Sequence, residues 1–240
     1  MSKMKVDVWS DIMCPFCYIG KRNYEAALEQ FAHQNHVEIE WHSFQLDPTI
    51  PKKREVKENI YQYLADRKGI PYEQSKQLHQ SVVEMAQKVG LSYNFEKAVI
   101  ANSFDAHRLI QLAKTKGLGD AIEEQLFKGY FTDGVDFSNH PELMRIGKEI
   151  GLSEHEIVEV LESDKFSDEV LEDIHTAQSI GVRGVPFFVF NNKYAVSGAQ
   201  PPAVFLDTLQ KSFGEWQEDK PFIDLERTEG PTCTPDGICE

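Results

Sequence analysis

The four cysteines of this chain lie in two close pairs, Cys14 with Cys17 and Cys233 with Cys239. Four cysteines are too few to crosslink a secreted domain of 240 residues. In a reducing compartment, closely spaced cysteines more often catalyse disulfide exchange, sense redox state or bind a metal. These pairs are therefore the first candidates for chemistry.

The first pair forms a Cys14-Pro15-Phe16-Cys17 motif between a predicted strand and a predicted helix. At the start of a helix, unpaired N–H groups and the helix dipole favour the thiolate, which is the nucleophilic form of Cys14. Pro15 suits the first turn because no N–H is needed there. Cys17 lies one turn further on, close enough to form a disulfide. We therefore predict that Cys14 attacks and Cys17 resolves, with Pro15 and Phe16 in the active-site loop.

The same pair could instead be half of a zinc site, but the spacing argues against it. Structural zinc needs four ligands, whereas the other two cysteines stand five residues apart in the C-terminal tail. His33 and His36 lie beyond the predicted helix and do not supply a ligand pattern. The sequence therefore favours redox chemistry, and we predict no metal.

A second candidate feature is Pro186, which stands directly before a hydrophobic strand. We predict a cis peptide bond between Val185 and Pro186, which would leave the backbone of Val185 open to a bound peptide. The alternative is that Pro186 merely begins an edge strand. The upstream Cys-x-x-Cys motif favours the first interpretation.

The tail cysteines, Cys233 and Cys239, bracket a turn-like segment that could bring them together. One hypothesis is a second redox pair that passes electrons to Cys14 and Cys17. The alternative is an incidental tail disulfide or two idle thiols, and the loosely ordered context expected for the tail favours it.

Three polar residues outside these motifs are weaker candidates for a substrate groove. His107 lies on a predicted helix, where an ordinary surface position or a capping contact is the simpler interpretation. Asn102, like Ser103, could be the N-cap of that helix. His42 lies on the second predicted strand and could approach the redox pair from beneath.

Hydrophobic periodicity separates the first part of the chain into a strand–helix–strand unit and a long helical stretch. Alternating residues predict strands at 5–9 and 37–44, with a helix at 15–31 between them. A right-handed crossover makes these two strands parallel. Apolar residues at helical spacing fill 55–164, where no strand is predicted.

The strand period returns in Phe187–Phe190 and Tyr194–Ser197, joined by a hairpin turn that suits Asn at positive φ. A last helix covers 201–213. This order predicts an α/β fold, a mixed β-sheet flanked by helices with an inserted all-helical domain. The predicted division is a sheet domain at 1–48 and 165–215, an inserted helical domain at 49–164 and a C-terminal tail at 216–240.

The composition argues against nucleic-acid and membrane partners. A net charge of −14 would repel both nucleic acid and anionic lipid surfaces. No apolar segment of signal-peptide length follows the N-terminus, and none reaches the roughly 20 residues needed to span a bilayer. We therefore expect a cytoplasmic protein, and the sequence leaves its oligomeric state open.

Several motifs together resemble those of the DsbA family of thioredoxin-fold proteins, and more narrowly its FrnE-like dithiol oxidoreductases. The matching segments are DVWSD at 7–11, CPFCYIG at 14–20, FDAHRL at 104–109, GVPFF at 184–188 and YAVSGAQP at 194–201. The resemblance implies a thioredoxin-like fold with a helical insertion, a cis-Pro186 loop facing the redox pair, and a nucleophilic Cys14.

We therefore predict an intracellular thiol–disulfide oxidoreductase or isomerase acting on protein thiols and disulfides or on small thiols. The resemblance extends to kappa-class glutathione transferases and 2-hydroxychromene-2-carboxylate isomerases, which usually carry Ser where Cys14 stands. A glutathione-dependent enzyme acting on small organic molecules is thus the alternative, and the presence of Cys17 argues against it. We predict a redox-active disulfide without a bound cofactor, although glutathione or another low-molecular-weight thiol could enter the groove.

Overall fold

The computed structural model describes residues 2–52 and 58–218. Within them, four strands form one sheet: β1 (Met4–Ser10), β2 (Val37–Ser43), β3 (Phe187–Phe190) and β4 (Tyr194–Ser197). The α-helices of the described part are α1 (Pro15–Glu29), α2 (Ile60–Lys68), α3 (Tyr72–Lys88), α4 (Phe104–Lys114), α5 (Gly119–Lys128), α6 (His140–Glu149), α7 (Glu154–Leu161), α8 (Ser167–Ser179) and α9 (Pro202–Glu218).

The sheet has the strand order β2-β1-β3-β4. Strands β1 and β2 are parallel, with Ser10 opposite Ser43 at the end of the pair. Strand β3 runs antiparallel to β1, and β4 runs antiparallel to β3. Because helices cover both faces of this mixed sheet, the structure confirms the predicted fold class.

The β3–β4 hairpin turns at two asparagines with positive φ, Asn191 at 49° and Asn192 at 53°. Asn tolerates the left-handed region better than other side chains, and two consecutive residues in that region match the twist of a tight hairpin. The sequence prediction of this turn is confirmed.

The two faces of the sheet follow the alternation of side chains along each strand. On one face, Val6, Val8 and Phe188 pack against α1 and α9 in a cluster that includes Tyr24 and Phe205. The other face is covered by α8, where the buried residues are Trp9, Ala177 and Val182. The sheet is therefore a central layer between two groups of helices.

Helices α2 to α7 form the predicted insertion, and they do not stand apart from the sheet domain. In the described part of 55–164 there is no strand, as predicted. One continuous core joins residues of the redox motif and α1 to the insertion; its members include Cys14, Cys17, Tyr18, Leu109, Leu126 and Phe131. The insertion therefore forms part of the surroundings of the cysteine pair.

The last helix is longer than the sequence predicts. We expect its end at 213 and a tail from 216, whereas α9 continues to Glu218. Trp216 packs against Phe213 with 5.1 Å between ring centroids and joins the core under α9. This apolar contact stabilises the additional turn of α9. No helix among the described residues is long and apolar enough to cross a membrane.

Candidate dithiol site

Cys14 is the N-cap residue of α1, as the motif predicts. Its backbone is extended, with φ −88° and ψ 110°, and Pro15 follows in the first turn of the helix. Two backbone hydrogen bonds shape the loop: Cys14 N–H donates to the Asp11 carbonyl at 2.9 Å and Cys17 N–H to the Cys14 carbonyl at 3.0 Å. Cys14 therefore lies at the positive end of the dipole of α1.

One buried carboxylate fixes the loop before the motif. Asp11 is 1% exposed, and its Oδ1 accepts a hydrogen bond from Met13 N–H at 3.2 Å. Its Oδ2 accepts one from Leu46 N–H at 2.7 Å, across 35 residues of sequence. Asp11 thus joins the redox loop to the segment after β2, a role that the sequence did not reveal.

The two thiols differ in their surroundings. Both are free; Cys17 is completely buried, whereas Cys14 retains a little exposure. Burial raises the pKa of Cys17 well above its usual range, and the hydrogen bond and charge of Cys14 raise it further. The Asp11 backbone amide and the Ser10 hydroxyl lower this pKa to a smaller extent. At neutral pH Cys17 is therefore a protonated thiol.

The loop before β3 faces Cys14. The Val185–Pro186 peptide bond is cis, as predicted, and the Cys14 thiol donates to the Val185 carbonyl at 3.3 Å. Gly20 on α1 makes the close approach possible, because a Cβ there would lie 2.9 Å from Pro186 Cγ. The structure thus brings together Cys14, Cys17, Val185 and Pro186.

The insertion adds a contact that sequence reasoning missed. The Tyr93 hydroxyl donates to the Pro15 carbonyl at 2.7 Å, and the ring stacks on Phe131 with 4.5 Å between centroids. Burial, followed by the nearby sulfurs of Cys14 and Cys17, raises the pKa of Tyr93. Tyr93 lies in an irregular segment before α4, where no periodic signal points to it. Phe16 of the motif remains 39% exposed beside this contact.

Asn102 lies one residue before Ser103, the N-cap of α4. Its Oδ1 accepts from Phe104 N–H at 2.9 Å at the start of α4, and its Nδ2 donates to the Ile50 carbonyl at 2.6 Å. The side chain of Asn102 thus bonds at the start of α4, although the N-cap residue itself is Ser103, whose side chain makes no capping hydrogen bond. A role of Asn102 in a substrate groove stays a prediction.

The expected surface position of His107 is wrong. The residue is fully buried in α4, because α4 runs through the centre of the insertion and is packed by α5, α7 and α8. Its Nε2 lies 3.6 Å from Asp11 Oδ1, and neither ring nitrogen has a hydrogen-bond partner among the described residues. His107 therefore lies behind the redox loop and not on an open groove.

His42 does not approach the cysteines from beneath the sheet. Its ring stacks on Trp9 with 4.6 Å between centroids. Nδ1 is 2.7 Å from Asp173 Oδ1, and Nε2 is 2.9 Å from Asp7 Oδ1. Burial lowers the pKa of His42, but the hydrogen bonds to Asp173 and Asp7 outweigh it and leave the pKa raised. This network lies on the α8 face, whereas α1 covers the opposite face.

The ligand atoms of Asp7, Glu40 and His42 lie within 4.8 Å of one another, close enough for a metal ion. However, these atoms already have partners, since Lys5 pairs with Glu40 at 2.7 Å and His42 is bonded on both sides. The group is therefore an ion-pair network. The second cysteine pair, Cys233 and Cys239, lies outside the described residues, and its relay role stays a prediction.

The architecture and the site define the class of the molecule. A mixed sheet, a Cys-x-x-Cys motif at the N-terminus of its first helix and a cis-proline loop facing the first cysteine characterise a thioredoxin-like protein with a helical insertion. The family model of the DSBA-like thioredoxin domain matches residues 5–210. The chain belongs to this family.

Known relatives agree with this assignment. The probable DsbA oxidoreductase SCO1869 of Streptomyces coelicolor has 35% sequence identity and a TM-score of 0.84, covering 99% of this chain and 98% of that one. The uncharacterized protein YwbO of Bacillus subtilis is 24% identical over 218 residues, 90% of this chain and 98% of that protein. The cytosolic disulfide reductase DsbM of Pseudomonas aeruginosa shares the fold, with 14% identity and a TM-score of 0.59 over 88% of this chain and 99% of that one.

Proposed function

We propose that this protein is a cytoplasmic, FrnE-like thiol–disulfide oxidoreductase, with Cys14 as nucleophile and Cys17 as resolving thiol. The observation that carries the proposal is the asymmetry of the pair. Cys14 lies at the N-cap of α1 beside the Val185 carbonyl, whereas Cys17 is completely buried and protonated at neutral pH. Cys14 keeps 3% exposure and Cys17 has none, which supports Cys14 as the thiol that meets the substrate and Cys17 as the thiol that resolves.

In the direction that reduces a substrate disulfide, the reaction proceeds in two exchanges. The Cys14 thiolate attacks one sulfur of a substrate disulfide, forms a mixed disulfide and releases the other sulfur as a thiolate. Cys17 loses its proton to that released thiolate and then attacks the Cys14 sulfur, which frees the second substrate thiolate. The protein pair loses two electrons and the substrate disulfide gains them. The reverse sequence oxidises a substrate dithiol.

The surroundings of Cys14 suit an extended peptide or a small disulfide. Val185 N–H donates to no backbone carbonyl within the described residues, so it is free to pair with a substrate backbone. Phe16, between the two cysteines in the motif, is exposed and offers an apolar surface to a substrate. Protein disulfides, or a small thiol such as glutathione, are therefore the substrates we propose.

The test is a redox titration in a thiol–disulfide buffer, followed by trapping of free thiols. It is carried out with the Cys233→Ser/Cys239→Ser variant, so that Cys14 and Cys17 are the only thiols that can be trapped. We expect a reversible two-electron couple that disappears in both Cys14→Ser and Cys17→Ser. With an excess of small disulfide, Cys17→Ser should stop as a stable mixed disulfide on Cys14, and Cys14→Ser should not react.

The same variants separate this function from glutathione-dependent transfer or isomerisation of small organic molecules. Such chemistry does not need a resolving thiol, so Cys17→Ser would keep full turnover with glutathione present. If the wild-type pair shows no exchange at any buffer ratio while that turnover persists, the oxidoreductase proposal is wrong.

A further inference from the structure

The Ser10 side chain is a buried hydroxyl without a partner. It is fully buried at the end of β1, and its Oγ makes no hydrogen bond among the described residues. A buried polar group that is left unbonded opposes folding. An unbonded hydroxyl this close in the chain to the cysteine pair is a candidate for a role in the reaction of that pair.

The pleat of β1 brings this hydroxyl to the redox pair. Val6 and Val8 face α1, so the alternation of side chains places Ser10 on the same face. Cys17 lies in the first turn of α1, and the Ser10 hydroxyl is one of the groups that lower the pKa of Cys17. The backbone of Ser10 is fixed, because its carbonyl accepts from Phe44 N–H at 2.9 Å.

We propose that the Ser10 hydroxyl donates a hydrogen bond to the Cys17 thiolate as it forms, which makes Ser10 a catalytic residue of the resolving step. The inference rests on the proposed dithiol function. In the reduced pair Cys17 is a neutral thiol and the hydroxyl has little to bind. When the thiolate appears, the hydroxyl turns toward it without leaving another partner.

The mixed disulfide is the state in which this donor matters. The titratable groups that face Cys17 are Cys14 on its own helix and Tyr93 from the insertion, while Asp11 contributes its backbone amide. Once Cys14 is bonded to substrate it carries no charge, so it no longer opposes ionisation of Cys17. Ser10 and the Asp11 amide are then the donors at the ionising sulfur. Ser10 keeps its own proton, and the Cys17 proton passes to the released substrate thiolate.

The experiment uses 4,4′-dithiodipyridine as a neutral disulfide probe and the full chain with Cys233→Ser/Cys239→Ser. Attack by Cys14 releases one thiopyridone and resolution by Cys17 releases a second, so absorbance reports the two steps separately. We compare Ser10→Ala with Ser212→Ala, because Ser212 is also fully buried with an unbonded hydroxyl but lies in α9. Ser10→Thr, which keeps a hydroxyl, is the rescue variant.

We expect Ser10→Ala to leave the first release unchanged and to slow the second about three- to tenfold at neutral pH. Loss of a hydrogen bond to the thiolate raises the pKa of Cys17 further, and the higher intrinsic reactivity of the more basic thiolate offsets part of the resulting loss of rate. The pH midpoint of the second release should therefore move upward, and the deficit should vanish in alkaline solution.

Ser212→Ala should behave as the parent protein in both releases, and Ser10→Thr should recover most of the rate. A Ser10→Ala profile identical to that of Ser212→Ala would overturn the role of Ser10. A parent protein that never gives the second release would instead overturn the dithiol function itself. The two failures are therefore distinguishable.

Discussion

At the scale of single residues, the site contains two residues of the same type, Cys14 and Cys17, whose surroundings differ. Cys14 is placed at a helix N-terminus and next to the cis-proline loop, whereas Cys17 is enclosed by apolar side chains. Low dielectric disfavours the charged form, which is why burial keeps Cys17 protonated. The order of attack and resolution that we propose follows from this difference.

Tyr93 provides a residue-scale prediction. Tyr93→Phe removes the hydrogen bond to the Pro15 carbonyl and should lower the free energy of unfolding by about 1 kcal/mol, or about 2–4 °C in Tm. Tyr24→Phe is the matched control, because the Tyr24 hydroxyl is buried and has no hydrogen-bond partner in the described part of the chain. Its removal should be neutral or stabilising. Equal losses in urea unfolding of both variants would contradict the importance of the Pro15 contact.

At the scale of elements, α4 organises the insertion through polar residues that are buried. Arg108 is 2% exposed, and its guanidinium donates to the carbonyls of Val160, Ser163 and Lys165 at the end of α7. Val160 lies in the last turn of α7 and the other two residues follow it, where backbone acceptors lack partners within the helix. A side chain from α4 thus completes the C-terminus of α7.

Arg108 therefore gives an element-scale prediction. Arg108→Leu leaves three carbonyls without this donor and removes one of the cations beside Asp105. It should lower the free energy of unfolding by about 3–5 kcal/mol. Arg145→Leu on the surface of α6 is the control, since its ion pairs with Glu142 and Glu149 are exposed and should contribute less than about 1 kcal/mol. Urea unfolding measures the free energy of unfolding of both variants. A similar decrease in the two would show that the contacts of the buried Arg108 side chain stabilise the fold no more than an exposed ion pair does.

At the scale of the whole molecule, helices of the insertion and of the sheet domain meet in a network on the α8 face of the sheet. Asp173 of α8 accepts hydrogen bonds from Gln111 on α4 at 2.6 Å and from Ser43 N–H at 2.8 Å. Although burial raises its pKa, the hydrogen bond and charge of His42 leave the pKa of Asp173 lowered. The network thus holds α4, α8 and β2 together through one charged pair.

This network predicts a pH-dependent stability. His42 has a raised pKa in the folded protein, so its contribution is complete below about pH 6.5, the usual value in the unfolded chain. The contribution declines as pH rises through the higher folded-state pKa. His42→Gln should therefore lower the free energy of unfolding by about 1.5–3 kcal/mol at pH 6, which is roughly 5 °C in Tm. The loss should be smaller at pH 8.5.

Thermal unfolding between pH 5.5 and 8.5 checks this prediction. His175→Gln, on the exposed side of the same α8, is the control and should show no such dependence. A difference between wild type and His42→Gln that stays constant over this range would mean that protonated His42 does not stabilise the fold.

The sequence by itself determined the features that depend on a few neighbouring residues. The Cys-x-x-Cys motif at a strand–helix junction and the Asn191-Asn192 turn are each specified by a few adjacent residues. The cis bond at Pro186 was predicted from its place before a hydrophobic strand together with the distant Cys-x-x-Cys motif. The strands and the helical stretch follow in the same way from periodicity. Local steric and capping preferences are sufficient for such features, so they could be predicted.

Only the tertiary structure decided which distant residues meet. Tyr93 contacts Pro15 across 78 residues, and Val185 contacts Cys14 across 171. Burial of His107 and isolation of the Ser10 hydroxyl likewise depend on how α4 and α1 pack, which no local pattern records. The candidate site was predictable from its residues, whereas the electrostatics of that site depend on long-range packing. This packing sets burial, and burial raises the pKa of Cys17.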